Sequence, residues 1–433
     1  MISKLLKVLQ NILYTGVIMN IDRKKKSSKY YFGSFSVISM LLIHLLFISN
    51  LFSQDNKNSL KILWQKDFET EPNVNFSPGA ICYDEIEHRI FLLGTSYRYN
   101  KENNLTERSF FLCQMKEDGS KIKSLFLDKI QGGAAQLDTP TLFIKGLEIF
   151  PNGDILSIGP FKSYQLSIIK STRKLSDVTL IPLFSENLKE KDIEIYKMIR
   201  LEDDILIIGL IGGGSPFANG LIARITTDGK VIWKKKFNYG KNVFFTDVAI
   251  NEINRTFIVA GYSLPKETKD FFTYKPEIWI LLCDFEGNII SEKIFPGRIP
   301  KICCLSSKQY IILYDRTNEF ITENLSLKSL GENLTELWEK HLLTRDSFAI
   351  SFMIQPLNNN HFIAAGYTKI DSIVFYEFDE RGNQQGYLEI VEKKLLPNKL
   401  IFRYYNNKIF VCFQLIGEKG NKNIKILGIE AIR

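Results

Sequence analysis

A weak repeat of about fifty residues runs through this chain from residue 60 onward. Three stretches show it best: FIVAGYS at Phe257–Ser263, FIAAGYT at Phe362–Thr368 and IFLLGTS at Ile90–Ser96. Each is followed by a loop and a second apolar run, and often by a turn containing glycine. Such turns are DFEGN at Asp284–Asn288, DERGN at Asp379–Asn383, TTDGK at Thr226–Lys230 and EDGS at Glu117–Ser120. A run such as VIWKKKF (Val231–Phe237) or LWEKHLL (Leu337–Leu343) comes next. A unit of this size cannot bury its own apolar face and must stack on its neighbours.

Aligned on the residue that closes the second run, the markers are Gly94, Gly159, Gly209, Gly261, Tyr314, Gly366 and Phe413, with Tyr314 and Phe413 as degenerate matches. The gaps of 65, 50, 52, 53, 52 and 47 residues define seven units. Each unit holds four short runs rich in β-branched or aromatic residues, divided by Gly, Asn or Asp turns. In the clearest unit the runs are Phe245–Asn251, Thr256–Tyr262, Ile278–Phe285 and Ile289–Phe295. No segment past residue 60 keeps a 3.6-residue period over three turns, so the body reads as all-β.

Four-stranded antiparallel units repeated in a ring make a β-propeller. Trp233, Lys235 and Phe237, then Phe257–Ser263, then Ile278–Asn288 carry the fullest copy of the pattern. Leu337–Lys340, Phe362–Thr368 and Val374–Asn383 carry the next best. This pattern resembles bacterial propeller repeats of the quinoprotein-like and WD40-like kind. The resemblance covers most of residues 60–433, although residues 175–220 and 289–336 match poorly. It implies a fold and no particular activity. In such repeats the Trp-bearing run is the outermost strand. That implies a chain that begins with an outer strand, Leu60–Phe68, and ends with three inner ones, Lys399–Tyr405, Lys408–Gln414 and Ile424–Ile432. The expected fold is a seven-bladed propeller over residues 54–433, closed when the strand of Trp64 pairs antiparallel with the strand of Ile426 and Gly428. Closure removes exposed sheet edges.

The formal charge of +8 suggests an anionic partner until it is located. Residues 1–53 hold seven basic side chains against Asp22 and account for +6 of it, leaving +2 on the body. A near-neutral body lacks the electrostatic footprint of a nucleic-acid binder. Residues 1–53 read as a leader. A basic block at Arg23–Lys29 precedes an apolar run at Phe35–Phe52, broken only by Ser36, Ser39, His44, Ser49 and Asn50, with small Ser53 at its exit. This is the order of a signal peptide. The alternative is an uncleaved hydrophobic leader helix, in which residues 35–52 anchor the chain in a membrane. Both place the body outside the cytoplasm: periplasmic, cell-surface or secreted. Residues 1–18 precede a second plausible start at Met19 and read as a gene-start artefact or a short amphipathic helix.

Few motifs carry chemistry. Cys82, Cys113, Cys283 and Cys412 lie in apolar runs, and Cys303 and Cys304 are adjacent, so buried thiols are expected rather than a disulfide framework. The D-x-x-G-N turns are too short for a calcium loop and fit glycine-containing hairpins. Gly212–Ser215 (GGGS) is followed by Pro216 rather than the Lys of a phosphate loop. His88, His341 and His361 fall in different units with no zinc spacing, and no GxSxG elbow nominates a nucleophile. We therefore expect no metal and no cofactor.

Two sets of residues remain. Asp192, Glu194, Asp247 and Asp346 stand near the starts of innermost strands, where they solvate a channel mouth or form the carboxylate pair that glycoside hydrolysis uses. Tyr97 and Tyr99 in Tyr97–Arg108, and Phe271, Phe272 and Tyr274 in Ser263–Pro276, place aromatics on loops at one end of the ring. They form a binding patch or fold back over their own blades. The expectation is a binding or scaffold module for a protein, glycan or surface polymer. The alternatives are a polysaccharide-directed enzyme and a membrane-anchored assembly factor.

Overall fold

The computed structural model describes residues 60–68, 74–100, 105–126, 130–133, 144, 146–161, 165–184, 193–212, 218–238, 240–265, 276–306, 308–316, 325–342, 348–357, 360–368, 371–392, 394–416 and 422–431. The expected leader lies outside them. The described body is a ring of seven antiparallel sheets, a seven-bladed β-propeller.

The described residues open with β1 (Leu60–Phe68). Blade 1 follows with β2 (Asn75–Asp84), β3 (Arg89–Asn100), β4 (Leu105–Lys116), β5 (Lys121–Phe126) and β6 (Ile130–Gly133). Blade 2 is β7 (Leu147–Ile149), β8 (Asp154–Phe161), β9 (Gln165–Thr172) and β10 (Val178–Pro182). Blade 3 is β11 (Ile193–Leu201), β12 (Asp204–Ile211), β13 (Asn219–Thr226) and β14 (Val231–Phe237). Blade 4 is β15 (Lys241–Asn251), β16 (Thr256–Pro265), β17 (Glu277–Asp284) and β18 (Ile289–Pro296). Blade 5 is β19 (Arg298–Ser306), β20 (Gln309–Asp315), β21 (Leu325–Gly331) and β22 (Glu336–His341). Blade 6 is β23 (Phe348–Pro356), β24 (His361–Thr368), β25 (Ser372–Asp379) and β26 (Gln384–Val391). Blade 7 takes β27 (Leu395–Tyr405), β28 (Lys408–Ile416) and β29 (Lys422–Ala431) from the end of the chain, and its outer position is filled by β1. In that pair Trp64 faces Gly428 and Lys66 faces Ile426.

The core is not one mass but seven, each between two neighbouring blades. Leu206 and Ile208 of β12 pack toward blade 4, whereas Ile205 and Ile207 pack toward blade 2. Both faces of a middle strand are covered, so it reads as an unbroken apolar run rather than an alternating one. Outer strands have one wet face, and β18 accordingly alternates exposed and half-buried residues along most of its length. The cluster that joins the two ends of the chain holds Phe410, Cys412, Ile424 and Ile426 of blade 7 with Phe76, Ile81 and Phe111 of blade 1.

The aligned glycines have a steric cause. Innermost strands carry a bulge, with a register shift between Ile195 and Lys197 in β11 and between Phe245 and Asp247 in β15. A Cβ on Gly209 would lie 1.9 Å from the carbonyl oxygen of Glu194, and one on Gly261 would lie 2.4 Å from that of Phe244. Only a residue without a side chain fits opposite such a bulge.

The W-x-K run and the D-x-x-G-N turn are two halves of one contact between blades. Trp233 of β14 donates its indole N–H to the Phe285 carbonyl in the next blade at 3.2 Å. Its ring lies under Gly287, whose φ of 78° and missing Cβ the contact requires. Lys235 then reaches the Gly287 carbonyl at 2.6 Å. Trp338 repeats the bond to the Glu380 carbonyl at 3.0 Å under Gly382, with Lys340 on Asn383 at 2.7 Å. Trp64 sits under Gly119 in the same way. Two other junctions invert the device. Where the outer strand offers Ser291 or Lys123, the following turn carries Leu334 (φ 59°) or Leu175 (φ 48°), each buried in place of an indole.

Three sequence expectations are corrected. Blade 1 has five strands, because β6 pairs with the extended part of β4. Tyr97 and Tyr99 lie in β3, paired with Arg108 and Thr106, because the β3–β4 hairpin runs well past the edge expected for a loop. Asp247 lies in the middle of β15 rather than at its start. All six cysteines are free thiols, with Cys304 half-buried and the other five buried.

Candidate functional site

The innermost strands line the ring's axis, and just past each bulge they present one residue at an equivalent level. In blades 3, 4 and 5 these are Lys197 opposite Ile208, Asp247 opposite Ala260 and Lys301 opposite Leu313. In blades 1, 6 and 7 the same level holds Ala80, Met353 and Ile401. Three charged residues on consecutive blades therefore interrupt an otherwise apolar belt.

Asp247 is buried and both its oxygens are engaged. Oδ1 accepts from the Lys197 ammonium and from the Val248 N–H at 3.0 Å, and Oδ2 accepts from the Ile302 N–H at 2.9 Å. Lys197 also donates to the Val248 carbonyl at 2.9 Å. One carboxylate thus ties blades 3, 4 and 5 together. Thr246 adds a bond to the Pro300 carbonyl at 3.1 Å. Similar stitches run round the wall. Gln355 of blade 6 donates to the Phe402 carbonyl at 2.7 Å and accepts from the Tyr404 N–H at 2.9 Å in blade 7. Arg403 of blade 7 pairs with Glu148 of blade 2 at 3.6 Å. Burial pushes the Cys82 thiol well up.

Lys301 is half-buried. Burial holds it below its ordinary lysine value. Asp247 counteracts this and Lys197 reinforces it.

The residues singled out from the sequence fall in different places. Glu194 is exposed near the start of β11 and accepts from the Tyr196 hydroxyl at 3.2 Å. Burial, then Glu194, push that hydroxyl upward. Tyr97 is half-buried at the junction of blades 1 and 7, with the Lys422 ammonium 5.7 Å from its ring centre. For Tyr99 the strand position is described and the side chain is not. Asp192, Asp346, Phe271, Phe272 and Tyr274 lie outside the described residues. The sequence reading missed Lys197, Lys301, Gln355, Arg403 and Glu148. The signal was present for the first two, since Lys197 and Lys301 each stand one repeat from Asp247.

The two ends of the ring differ. Tight hairpins join first to second and third to fourth strands at one end. The second-to-third connections open at the other, and that between Pro265 and Glu277 is among the longest. At the tight end a cavity of about 270 Å³ is lined by Pro151, Arg200, Glu202, Ile250, Arg255 and Phe285, among others. There Glu202 pairs with Arg255 and, at 3.1 Å, with Arg224. The Arg255 guanidinium is also 5.0 Å from the Phe285 ring centre.

No protein-family model matches this chain, and no curated protein sequence matches it. Solved structures match in shape. A lectin from Burkholderia pseudomallei superposes with a TM-score of 0.52 at 8% identity, over 83% of this chain and 97% of the lectin. A Dyadobacter fermentans protein of unknown function gives a TM-score of 0.48 at 11% identity, over 87% of this chain and 100% of that one. An acylaminoacyl peptidase of Pyrococcus horikoshii gives 0.49 at 11% identity, over 81% of this chain and 50% of the peptidase. At these identities the likeness is one of fold alone.

Proposed function

We propose that this chain is an exported propeller that binds a protein, glycan or surface polymer at the end bearing its second-to-third-strand loops, with β1 as the clasp that closes the ring. The observation that carries a binding role over hydrolysis is the state of Asp247. A carboxylate that already accepts three hydrogen bonds and neutralises Lys197 serves the wall and is not free to activate water or protonate a leaving group. The ring built around it is a rigid support for loops, which is where such scaffolds carry recognition. The sequence places the aromatics Phe271, Phe272 and Tyr274 in one of those connections, and a lectin of the same fold keeps glycans among the ligand classes.

The test is retention of a glycan panel and of cell-surface proteins on the immobilised full chain. A variant carrying Phe271→Ala, Phe272→Ala and Tyr274→Ala should lose at least tenfold in retention while melting like the parent. Undiminished retention would remove the loop end from the reading. N-terminal sequencing of the exported protein shows whether residues 35–52 stay attached.

A further inference from the structure

A closed ring of blades still ends each sheet in an outer strand, and a regular outer edge is a template for a strand of another chain. In six of the seven blades that strand carries one extra residue at the same place. The ladder shifts at Leu63 in β1, Ile122 in β5, Ile232 in β14, Ile290 in β18, Leu337 in β22 and Gln385 in β26. Each is a bulge, with no residue opposite it on the neighbouring strand. Five of the six are aliphatic, and these five are between 41% and 54% exposed. The bulge is not a by-product of the turn before it, because a regular pair intervenes, Cys283 with Ile289 and Met115 with Lys121. Nor does it serve to aim an indole. The residue after it is Trp64, Trp233 or Trp338 in three blades but Lys123, Ser291 or Gly386 in the others, and Gly386 has no side chain to aim. What the six share is the open edge.

We propose that the rim is built to refuse a second copy of this chain, with one bulge per outer strand keeping the rings from pairing edge to edge. Exposed aliphatics on strands of six to nine residues would otherwise favour such pairing. A bulge bends the strand, adds twist and breaks the row of N–H and C=O groups that an incoming strand needs in register. Blade 2 reaches the same end by another route. Its outer strand, β10, pairs with β9 without a shift, but it is five residues long and ends at Pro182. The Leu183 N–H donates to the Leu166 carbonyl at 2.9 Å, so alternation along the strand turns the Pro182 nitrogen to the open side. Proline has no N–H to offer there. A rim closed in this way leaves the two ends of the ring for partners. It holds whichever end binds, so its test is separate from that of the aromatic loop.

Size-exclusion chromatography with light scattering, run on the purified full chain over a range of concentrations, tests it. Deleting Ile290 alone, or Ile232 alone, lets the outer strand pair regularly and straightens its edge. Each deletion chain should melt cooperatively and shift, as concentration rises, to species of at least twice the parent's mass. Ile290→Ser keeps the extra residue and should elute like the parent. Pro182→Val restores a donor to the edge of blade 2 and should associate in the same sense as the deletions. Deletion chains that fold and elute like the parent at every concentration overturn the proposal. So does an Ile290→Ser chain that associates as the deletions do, since the bulge is then not what matters. A deletion chain that no longer melts cooperatively makes the extra residue a requirement of the blade's own folding and overturns it too.

Discussion

Asp247 and Lys301 stand at the same level of adjacent blades and make opposite predictions. Removing Asp247 leaves Lys197 without its partner and the Ile302 N–H without an acceptor. Breaking a buried pair costs about 3–5 kcal/mol, and since the Lys197 side chain is 34% exposed we expect Asp247→Ala to cost about 2–3 kcal/mol in urea unfolding. A variant as stable as the parent would contradict the stitch. It follows that loss of any activity in an Asp247 variant would be confounded by unfolding, and Glu194→Gln is the cleaner probe of channel chemistry. For Lys301 the sign runs the other way. Burial lowers its folded value, so between that value and the ordinary lysine range the unfolded chain holds more protons. Stability should therefore rise with pH across that window, with Asp247 and Lys197 as the charged neighbours that set its width. Lys301→Met should flatten the rise in urea unfolding followed from neutral pH upward. The sequence marked Asp247 as an acid of an inner strand but misplaced it at a mouth. The reason is that β15 begins at Lys241 rather than at Phe245: Lys241–Phe244 pair with Tyr262–Pro265 of β16, a partner that the local pattern does not announce.

The contact between outer strand and following turn explains why those two motifs recur together. Trp233→Ser should cost about 2–4 kcal/mol, the range for losing a large aromatic that is partly rather than fully buried. Gly287→Leu alone should also destabilise, since its Cβ would meet the indole at 2.9 Å and its φ is 78°. The double variant copies the arrangement that blades 4 and 5 use, with Ser291 below and Leu334 above. We expect it to be more stable than either single change predicts by addition, with a residual of about 1–2 kcal/mol for the left-handed leucine. Simple additivity in the double-mutant cycle would mean that the leucine does not fill the indole's place. The hairpins and the outer position of the Trp strand were legible because turn chemistry and apolar runs are local. The partner of Trp233 was not, because it lies in the next repeat and stacking order leaves no mark inside a unit. The substitution of Trp by Ser or Lys where the turn has Leu is the trace it does leave, and it becomes readable only once blades are paired.

The ring as a whole depends on how its ends meet. Seven units and their spacing were visible in the repeat, whereas β6 and the long β3–β4 hairpin were not, since they belong to one blade and follow no period. At the junction of blades 7 and 1, Tyr83 stacks on Tyr405 at 4.3 Å and on Phe410 at 5.4 Å between ring centres. Its hydroxyl donates to Glu117, which also pairs with Lys408. β1 covers this junction from outside with Phe68 buried and Trp64 under Gly119, while its Leu60 is buried in the cluster between blades 6 and 7. If β1 is the clasp, deleting residues 60–68 forfeits the burial of those three side chains, about 4.5–9 kcal/mol at about 1.5–3 each. It also bares the edge of β29, a template for association with other chains. The deleted chain should melt well below the parent and form soluble oligomers on size-exclusion chromatography. A monomer with unchanged melting would mean that the ring is held without β1. The same junction should be sensitive to acid. Burial raises the Glu117 carboxyl, but bonds from Lys408 and Tyr83 outweigh it and hold the group below its ordinary value. A depressed folded value means that Glu117 stabilises the ring above its unfolded value and that this contribution is lost as pH falls through the folded one. Glu117→Gln should therefore lower stability at neutral pH and remove part of the acid dependence of melting. An unaltered acid profile in that variant would show that the junction does not draw on this charge.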